Sequence, residues 1–274
     1  METGRRVPGD GEQAGRNDAP TSLPVAALEP RVRLAVYLRS LALQASWNPQ
    51  RMQNLGLLAT LTPWLRRQNV SLDERRLFCR RHYEFFNTNP YLANFVIGGI
   101  LRLESDRIGR GRPAPPAIRV FRDSLARTFA GLGDQLFWLG LRPALILLMA
   151  VLVLLGWPWA ALAAAAAGAV GQFELRRRAL ASGFARGFDL VEVLGHPGWH
   201  RAIAASKNTG KVLTGAVAGC FFARILAPGS LESIGPALAL AAGAVVTPAM
   251  RRRLPGEVFL LLAATAVVAL AFVL

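Results

Sequence analysis

The chain is poor in the side chains that most enzymes use for chemistry, with two cysteines and three histidines in 274 residues. Two cysteines exclude a disulfide framework, and Cys79 in a basic segment is not expected to meet Cys220 in an apolar one. His196 and His200 are four apart, but Pro197 and Gly198 between them argue against a shared helix face, so no metal site is read there or elsewhere. His82, in Arg-Arg-His-Tyr-Glu, reads as part of a solvated basic face rather than as a phosphoryl acceptor. The sequence also lacks a Walker loop, G-x-G-x-x-G, G-x-S-x-G and H-E-x-x-H. No catalytic residue and no cofactor are expected.

Acid is scarce relative to base: 32 Lys and Arg against 17 Asp and Glu give a formal net charge of +15, and only Lys207 and Lys211 are lysines. A soluble domain this basic would usually bind nucleic acid, with its charge spread over a polar surface. Here 53% of residues are hydrophobic, and the basic clusters alternate with long stretches free of charge. That segregation excludes a nucleic-acid partner and describes helices in membrane lipid joined by basic cytoplasmic loops. No apolar run precedes Leu23, so the N-terminus is not read as a signal peptide.

The organisation follows from the same pattern. Residues 1–30 mix Gly, Pro, Arg and acids with few large apolar groups and are expected to be a disordered tail. Residues 31–138 form a helical region, cytoplasmic or re-entrant, broken at Pro49 and closed once near Pro63, with a strongly basic segment over 66–86. Within it Ser71 and Glu74 have capping-box spacing. Pro90 to Leu101 is apolar but covers less than about 20 Å as a helix, too little for a hydrocarbon core about 30 Å thick. It is therefore re-entrant, interfacial, or a buried helix. Residues 139–274 form the transmembrane region, with segments at about 139–155, 159–173, 212–227, 234–250 and 257–274.

Pro143 to Phe173 contains no charged residue, and as one helix it would run to about 46 Å. Gly156-Trp157-Pro158 at its middle favours a hairpin of two short helices over one kinked span, and interrupted apolar segments point to substrate sites in transporters. Arg142 and Arg176-Arg177-Arg178 put both hairpin ends in the cytoplasm, and Arg251-Arg252-Arg253 mark a later return there. Arg224, near the outer end of its helix, departs from this pattern and is expected to snorkel. The expected fold is an all-α, multipass helical bundle of the membrane, with short broken or re-entrant helices and a basic cytoplasmic face.

Three polar clusters abut membrane-compatible sequence: Trp47 to Gly56, Glu84 to Tyr91, and Ala130 to Trp138. Amides offer donors and acceptors together, which suits a neutral polyhydroxylated ligand, and Trp stacks on a sugar face. Each cluster also has a bland alternative: Asp134 as an N-cap, Asn87 or Asn89 as turn residues, Trp138 as an interfacial belt residue.

Taken together the three resemble the mannose/fructose/sorbose-family IID component of the bacterial sugar phosphotransferase system. The resemblance rests on Trp47-Asn48 with Arg51-Met52-Gln53-Asn54-Leu55-Gly56, on Arg81-His82 with Glu84-Phe85-Phe86-Asn87-Thr88 and Pro90-Tyr91, and on Gly131, Gly133-Asp134, Leu136-Phe137-Trp138 and Leu141-Arg142-Pro143. It covers about residues 40–145 and departs at Asn89, where the family often has His. It implies a multi-pass subunit of the bacterial cytoplasmic (inner) membrane, in a hetero-oligomer with a IIC membrane subunit and served by cytoplasmic IIA and IIB phosphocarriers. A hexose-type sugar would be phosphorylated by IIB during uptake, the IID chain being neither catalytic alone nor phosphorylated. On this resemblance Asn48, Arg51, Gln53, Asn54, Asn87, Asp134 and Trp138 form or support the sugar site. Two other readings stay open: a IID-derived regulatory or interaction protein without transport activity, and a self-contained membrane enzyme.

Overall fold

A computed structural model of the protein describes residues 28–226. The tail before residue 28, the segments 234–250 and 257–274, the triad Arg251-Arg252-Arg253 and the Arg224 side chain lie outside the described residues.

All regular elements described are helical: α1 (Pro30–Ser40), α2 (Asn54–Leu65), α3 (Leu72–His82), α4 (Ala93–Arg110), α5 (Pro115–Gly133), a π-helical segment (Asp134–Leu141), α6 (Arg142–Leu154), α7 (Pro158–Arg186), a short 3-10 turn, α8 (Leu190–Leu194) and α9 (Gly198–Leu226). Local chemistry sets several of these limits. The Ser71 hydroxyl accepts from the Glu74 N–H at 3.2 Å, with Asp73 and Glu74 in the first turn of α3 and Arg80, Arg81 and His82 in its last, as the helix dipole favours. Gly111 leaves α4 at φ 70° and Gly156 turns the chain between α6 and α7 at φ 82°, both left-handed conformations that cost glycine little.

Two prolines inside helical sequence are accommodated differently. Pro63 sits in the last turn of α2, which closes at Leu65 as expected. Its missing N–H leaves the Ala59 carbonyl without its helical donor, and the Arg39 guanidinium of α1 donates there instead at 3.0 Å. Pro143, at the start of α6, follows the π-helical segment, in which the Arg142 N–H reaches back to the Phe137 carbonyl. One wide turn before a proline relieves the clash its ring would make with the preceding turn. α5, the π-helical segment and α6 therefore run as one continuous helix, Pro115–Leu154, which among the described residues is the one long and apolar enough to cross a membrane.

α4 is the centre of the molecule. Every residue from Leu92 to Leu101 is buried against the surrounding helices. α4 crosses α7 closely enough that a methyl on Gly98 would overlap the Leu180 carbonyl, and one on Gly183 would overlap the Phe95 carbonyl. Around this crossing Phe78, Phe95, Phe129, Leu136, Phe184 and Leu190 complete a continuous core. The charge-free run does form a hairpin, α6 turning into α7, but α7 continues to Arg186, well beyond the apolar part. Its outer surface stays open: Ile146, Val153, Trp157, Trp159, Leu162 and Val170 are exposed. α9, which holds the described part of the expected 212–227 segment, to Leu226, packs along α6 and the π-helical segment.

Candidate functional site

The first two polar clusters meet in space and are joined by hydrogen bonds of Arg51 and Gln53 with Phe86 and Thr88. Asn48 and Met52 exchange backbone hydrogen bonds at 3.1 and 2.8 Å, closing a tight loop with Met52 at φ 56°. A left-handed non-glycine residue costs on the order of 1 kcal/mol or more and persists where its surroundings hold it. Those surroundings are amides. The Asn48 side chain accepts from the Arg51 N–H at 2.8 Å and donates to Asn54 Oδ1 at 3.0 Å. Asn54 in turn donates to the Tyr83 carbonyl at 2.9 Å. Gln53 makes a two-way clasp with Thr88, donating to its carbonyl at 2.9 Å and accepting its N–H at 3.1 Å.

This loop therefore pins the 83–88 segment in place. Gln53 and Asn54 are 1% and 0% exposed, so in this conformation they touch no solute. Arg51 and Asn87 are exposed; Arg51 lies over the Tyr83 ring at 4.9 Å and donates to the Tyr83 carbonyl at 3.3 Å.

The pinned segment delivers Asn89 to the third cluster. Asn89 Nδ2 donates to Asp134 Oδ1 at 3.0 Å, while Asn89 Oδ1 accepts the Tyr91 N–H at 3.1 Å. Asp134 opens the π-helical segment and is exposed there; it is not an N-cap. Gly133 is required at this contact, because a Cβ at 133 would overlap the Asn89 side chain. Beside it Gln135 Oε1 accepts from the Lys207 ammonium of α9. The aromatic rings form a ladder over the same region: Tyr91 to Phe137 at 4.4 Å, Tyr91 to Trp138 at 5.9 Å, Arg142 over Trp138 at 4.7 Å and Arg176 over Tyr91 at 5.0 Å. Asp134, Gln135, Trp138 and Arg142 face outward together. π-helical turns of this kind recur at functional sites because they re-aim side chains that a regular helix would set elsewhere.

Of the seven sequence-named residues, the structure joins Asn48, Arg51, Gln53 and Asn54 in one supporting knot. It places Asp134 and Trp138 on an outward surface and leaves Asn87 exposed between the two groups. Tyr91, Arg142, Arg176 and Lys207 complete the neighbourhood without having been singled out for it. Tyr91 and Arg142 belong to the recognised motifs, but nothing in the linear order brings α7 or α9 to the π-helical segment.

A second cluster went unread in the sequence. His82 is not on a solvated face: it is 1% exposed, with Nε2 at 2.9 Å from Glu104 Oε1. Glu104 is fully buried and also binds Arg81 at 3.3 Å and Arg107 at 2.8 Å, and both arginines reach Glu74. Burial alone would raise the Glu104 carboxyl, but the hydrogen bonds and charges of His82, Arg107 and Arg81 outweigh it and bring the pKa down to about 2. Burial lowers the His82 pKa despite Glu104. Neutral His82 then donates from Nε2, and protonation would put an unpaired N–H at its buried Nδ1. Next to this group the buried Arg122 donates to the Arg81 carbonyl and pairs with Glu84 at 2.7 Å, tying α5 to the 83–88 segment. His196 is separate, its Nδ1 accepting the Gly198 N–H where α9 begins.

Comparison with known proteins adds four findings. The model of the PTS system mannose/fructose/sorbose family IID component matches residues 27–227. The PTS system mannose-specific EIID component of Escherichia coli (strain K12) is 34% identical over 161 residues, 58% of this chain and 57% of that protein. The PTS system sorbose-specific EIID component of Lacticaseibacillus casei is 34% identical over 151 residues, 54% and 53% of the two chains. The chain thus spans a little over half the length of these relatives. A chain in the cryoEM structure of the mannose transporter ManYZ with microcin E492 superposes with TM-score 0.55 at 25% identity, covering 89% of this chain and 96% of that one.

Proposed function

The chain belongs to the IID components of the mannose/fructose/sorbose phosphotransferase family, and on that premise we propose that it forms, with a IIC subunit, the membrane path of a sugar permease. A hexose-type sugar is taken up along this path and phosphorylated by IIB. The chain is a membrane protein, non-catalytic by itself and partnered in a hetero-oligomer. Its exposed α6–α7 surface lies in lipid as part of a multi-pass transmembrane region in the bacterial inner membrane, and its arginine-rich helix ends face the cytoplasm, where IIB docks.

The observation that carries this reading is the Asn89–Asp134 pair at the opening of the π-helical segment, with Trp138 beside it. An ionised carboxylate accepts hydrogen bonds from hydroxyls, an amide donates and accepts, and an indole face covers the apolar side of a sugar ring. Asp134 and Trp138 are exposed on a fixed scaffold, as a site shared with a second subunit requires, and the buried Asn89 holds the Asp134 carboxylate in place. Asn48, Gln53 and Asn54 serve the same site indirectly, by holding the 83–88 segment that presents Asn87 and leads into Asn89, the partner of Asp134.

Phosphoenolpyruvate-dependent uptake of labelled sugar, with the chain co-expressed beside IIA, IIB and IIC, tests the proposal. Asp134→Ala removes a charge-assisted hydrogen-bond acceptor that contributes about 1.5–3 kcal/mol, so uptake should fall about 10- to 100-fold at unchanged membrane abundance. Wild-type uptake by this variant would remove Asp134 from the site.

A further inference from the structure

We infer that α1 is an interfacial helix that inserts Leu34 and Leu38 into the lipid boundary and holds anionic phospholipid headgroups with Arg31 and Arg33. The inference rests on the reading that the α6–α7 surface lies in lipid.

α1 buries Val32, Val36 and Ser40 against the protein. On the opposite side Leu34 and Leu38, one turn apart, are 57% and 54% exposed. A short helix with apolar side chains on both faces needs a second apolar environment for the outer one. The position of α1 says which. Tyr37, on the flank between the two faces, donates its hydroxyl to the Phe173 carbonyl of α7 at 3.1 Å. Phe173 is the last residue of the charge-free run, and Val170 and Leu162 before it are exposed apolar residues. The leucine pair therefore continues the apolar band of α7 at the level where that band ends, and a tyrosine marks the level, as interfacial tyrosines do.

Charge selects the headgroup. Around the Tyr37–Phe173 contact, α1 with its cap and α7 carry Arg31, Arg33, Arg39, Arg176, Arg177 and Arg178 against two acids, Glu29 and Glu174. Glu174 is engaged by Arg177 and Arg178, and Arg39 by the Ala59 carbonyl. The exposed Arg31 and Arg33 remain to meet phosphate, and a cationic helix with leucines on its outer face is the form that binds anionic bilayers.

The test uses the full chain in nanodiscs, with Cys79 and Cys220 replaced by alanine and a fluorophore on Leu34→Cys, Leu38→Cys or, as reference, Leu162→Cys. Quenching is compared between dibrominated phosphatidylglycerol and dibrominated phosphatidylcholine. Labels at 34 and 38 should be quenched to at least half the extent seen at 162. The preference for phosphatidylglycerol should drop about fivefold for each of Arg31→Gln and Arg33→Gln. Quenching at 162 without quenching at 34 and 38 overturns the inference and leaves the hairpin reading standing. No quenching at 162 overturns the hairpin reading itself. Equal quenching by both lipids, unchanged in the arginine variants, removes the anionic headgroup. Quenching at 34 and 38 that vanishes when a IIC subunit is co-reconstituted assigns the leucine face to a protein interface and also overturns the inference.

Discussion

Glu104→Gln is the most informative single perturbation of the scaffold. The carboxylate is fully buried and accepts from His82, Arg81 and Arg107, whose side chains are 1%, 18% and 13% exposed. The amide keeps the shape, removes the charge, and brings an NH2 group to face donors. Breaking a buried ion pair by removing one partner costs about 3–5 kcal/mol, and Glu74 still neutralises both arginines, so the lower end, about 3 kcal/mol, is expected. Linkage gives a consistent figure. A carboxyl lowered from 4.5 to about 2 in the fold stabilises it by roughly 3 kcal/mol at neutral pH. For a chain of this size that corresponds to a melting point lower by about 6–12 °C.

The sign of the pH dependence is determined by the same shift. Because the folded-state pKa of Glu104 lies below its unfolded value, its contribution is complete above pH 4.5 and disappears as pH falls toward about 2. His82 acts in the same direction at higher pH. Its folded-state pKa lies below 6.5, so the unfolded chain takes up a proton that the fold refuses, and stability declines as pH drops below 6.5. Thermal unfolding in detergent, monitored by intrinsic fluorescence between pH 8 and pH 3, reads both effects. Glu104→Gln should start lower and lose the slope below pH 4.5. A wild-type melting point at pH 7.5, or a wild-type slope below pH 4.5, would refute the reasoning. Glu174→Gln is the control: its carboxyl is also held at about 2 by Arg177 and Arg178, but that cluster is open to water, so its removal should leave the melting point unchanged.

Four further outcomes follow from the packing and exposure of single residues. Gly98→Ala and Gly183→Ala drive a methyl into backbone of the facing helix and should abolish monodisperse purification. Gly131→Ala and Gly171→Ala, which meet nothing within 4 Å, should be neutral or raise the melting point slightly. Gln53→Ala leaves the Thr88 N–H and carbonyl without their partners and should cost about 2–3 kcal/mol in thermal unfolding. Asn87→Ala, at an exposed position, should leave unfolding unchanged and reduce sugar uptake, and the opposite pattern would reverse the roles given to the two residues.

Much of the helical architecture was legible because it is written locally. Ser71 and Glu74 announced α3, and Gly156-Trp157-Pro158 announced the turn between α6 and α7. The apolar stretch from Pro90 to Leu101 was too short to span a bilayer, and its residues from Leu92 onward are packed inside the protein. Pro63 marked the end of α2 to within one turn, since the helix closes at Leu65. His82 misled. In sequence it stands among arginines, and only the packing of α3 against α4 brings Glu104 to it and turns a basic face into a buried ionic group. The amide-rich motifs were recognised as important, but their composition does not say which amides are spent on the scaffold and which face outward.

From the sequence alone came the all-helical class, the basic and apolar segregation, the family, and the motifs that bear on the site, because each depends on residue type and short-range spacing. Tertiary structure decided which polar groups are free. Hydrogen bonds join residues far apart in the chain, and a donor already paired inside the protein has none left for a solute. Asn89 was brought to Asp134, and Gln53 and Asn54 were withdrawn from solvent, by the 83–89 segment lying between the start of α2 and the π-helical segment. Three-dimensional proximity, which spacing along the chain does not encode, made that choice.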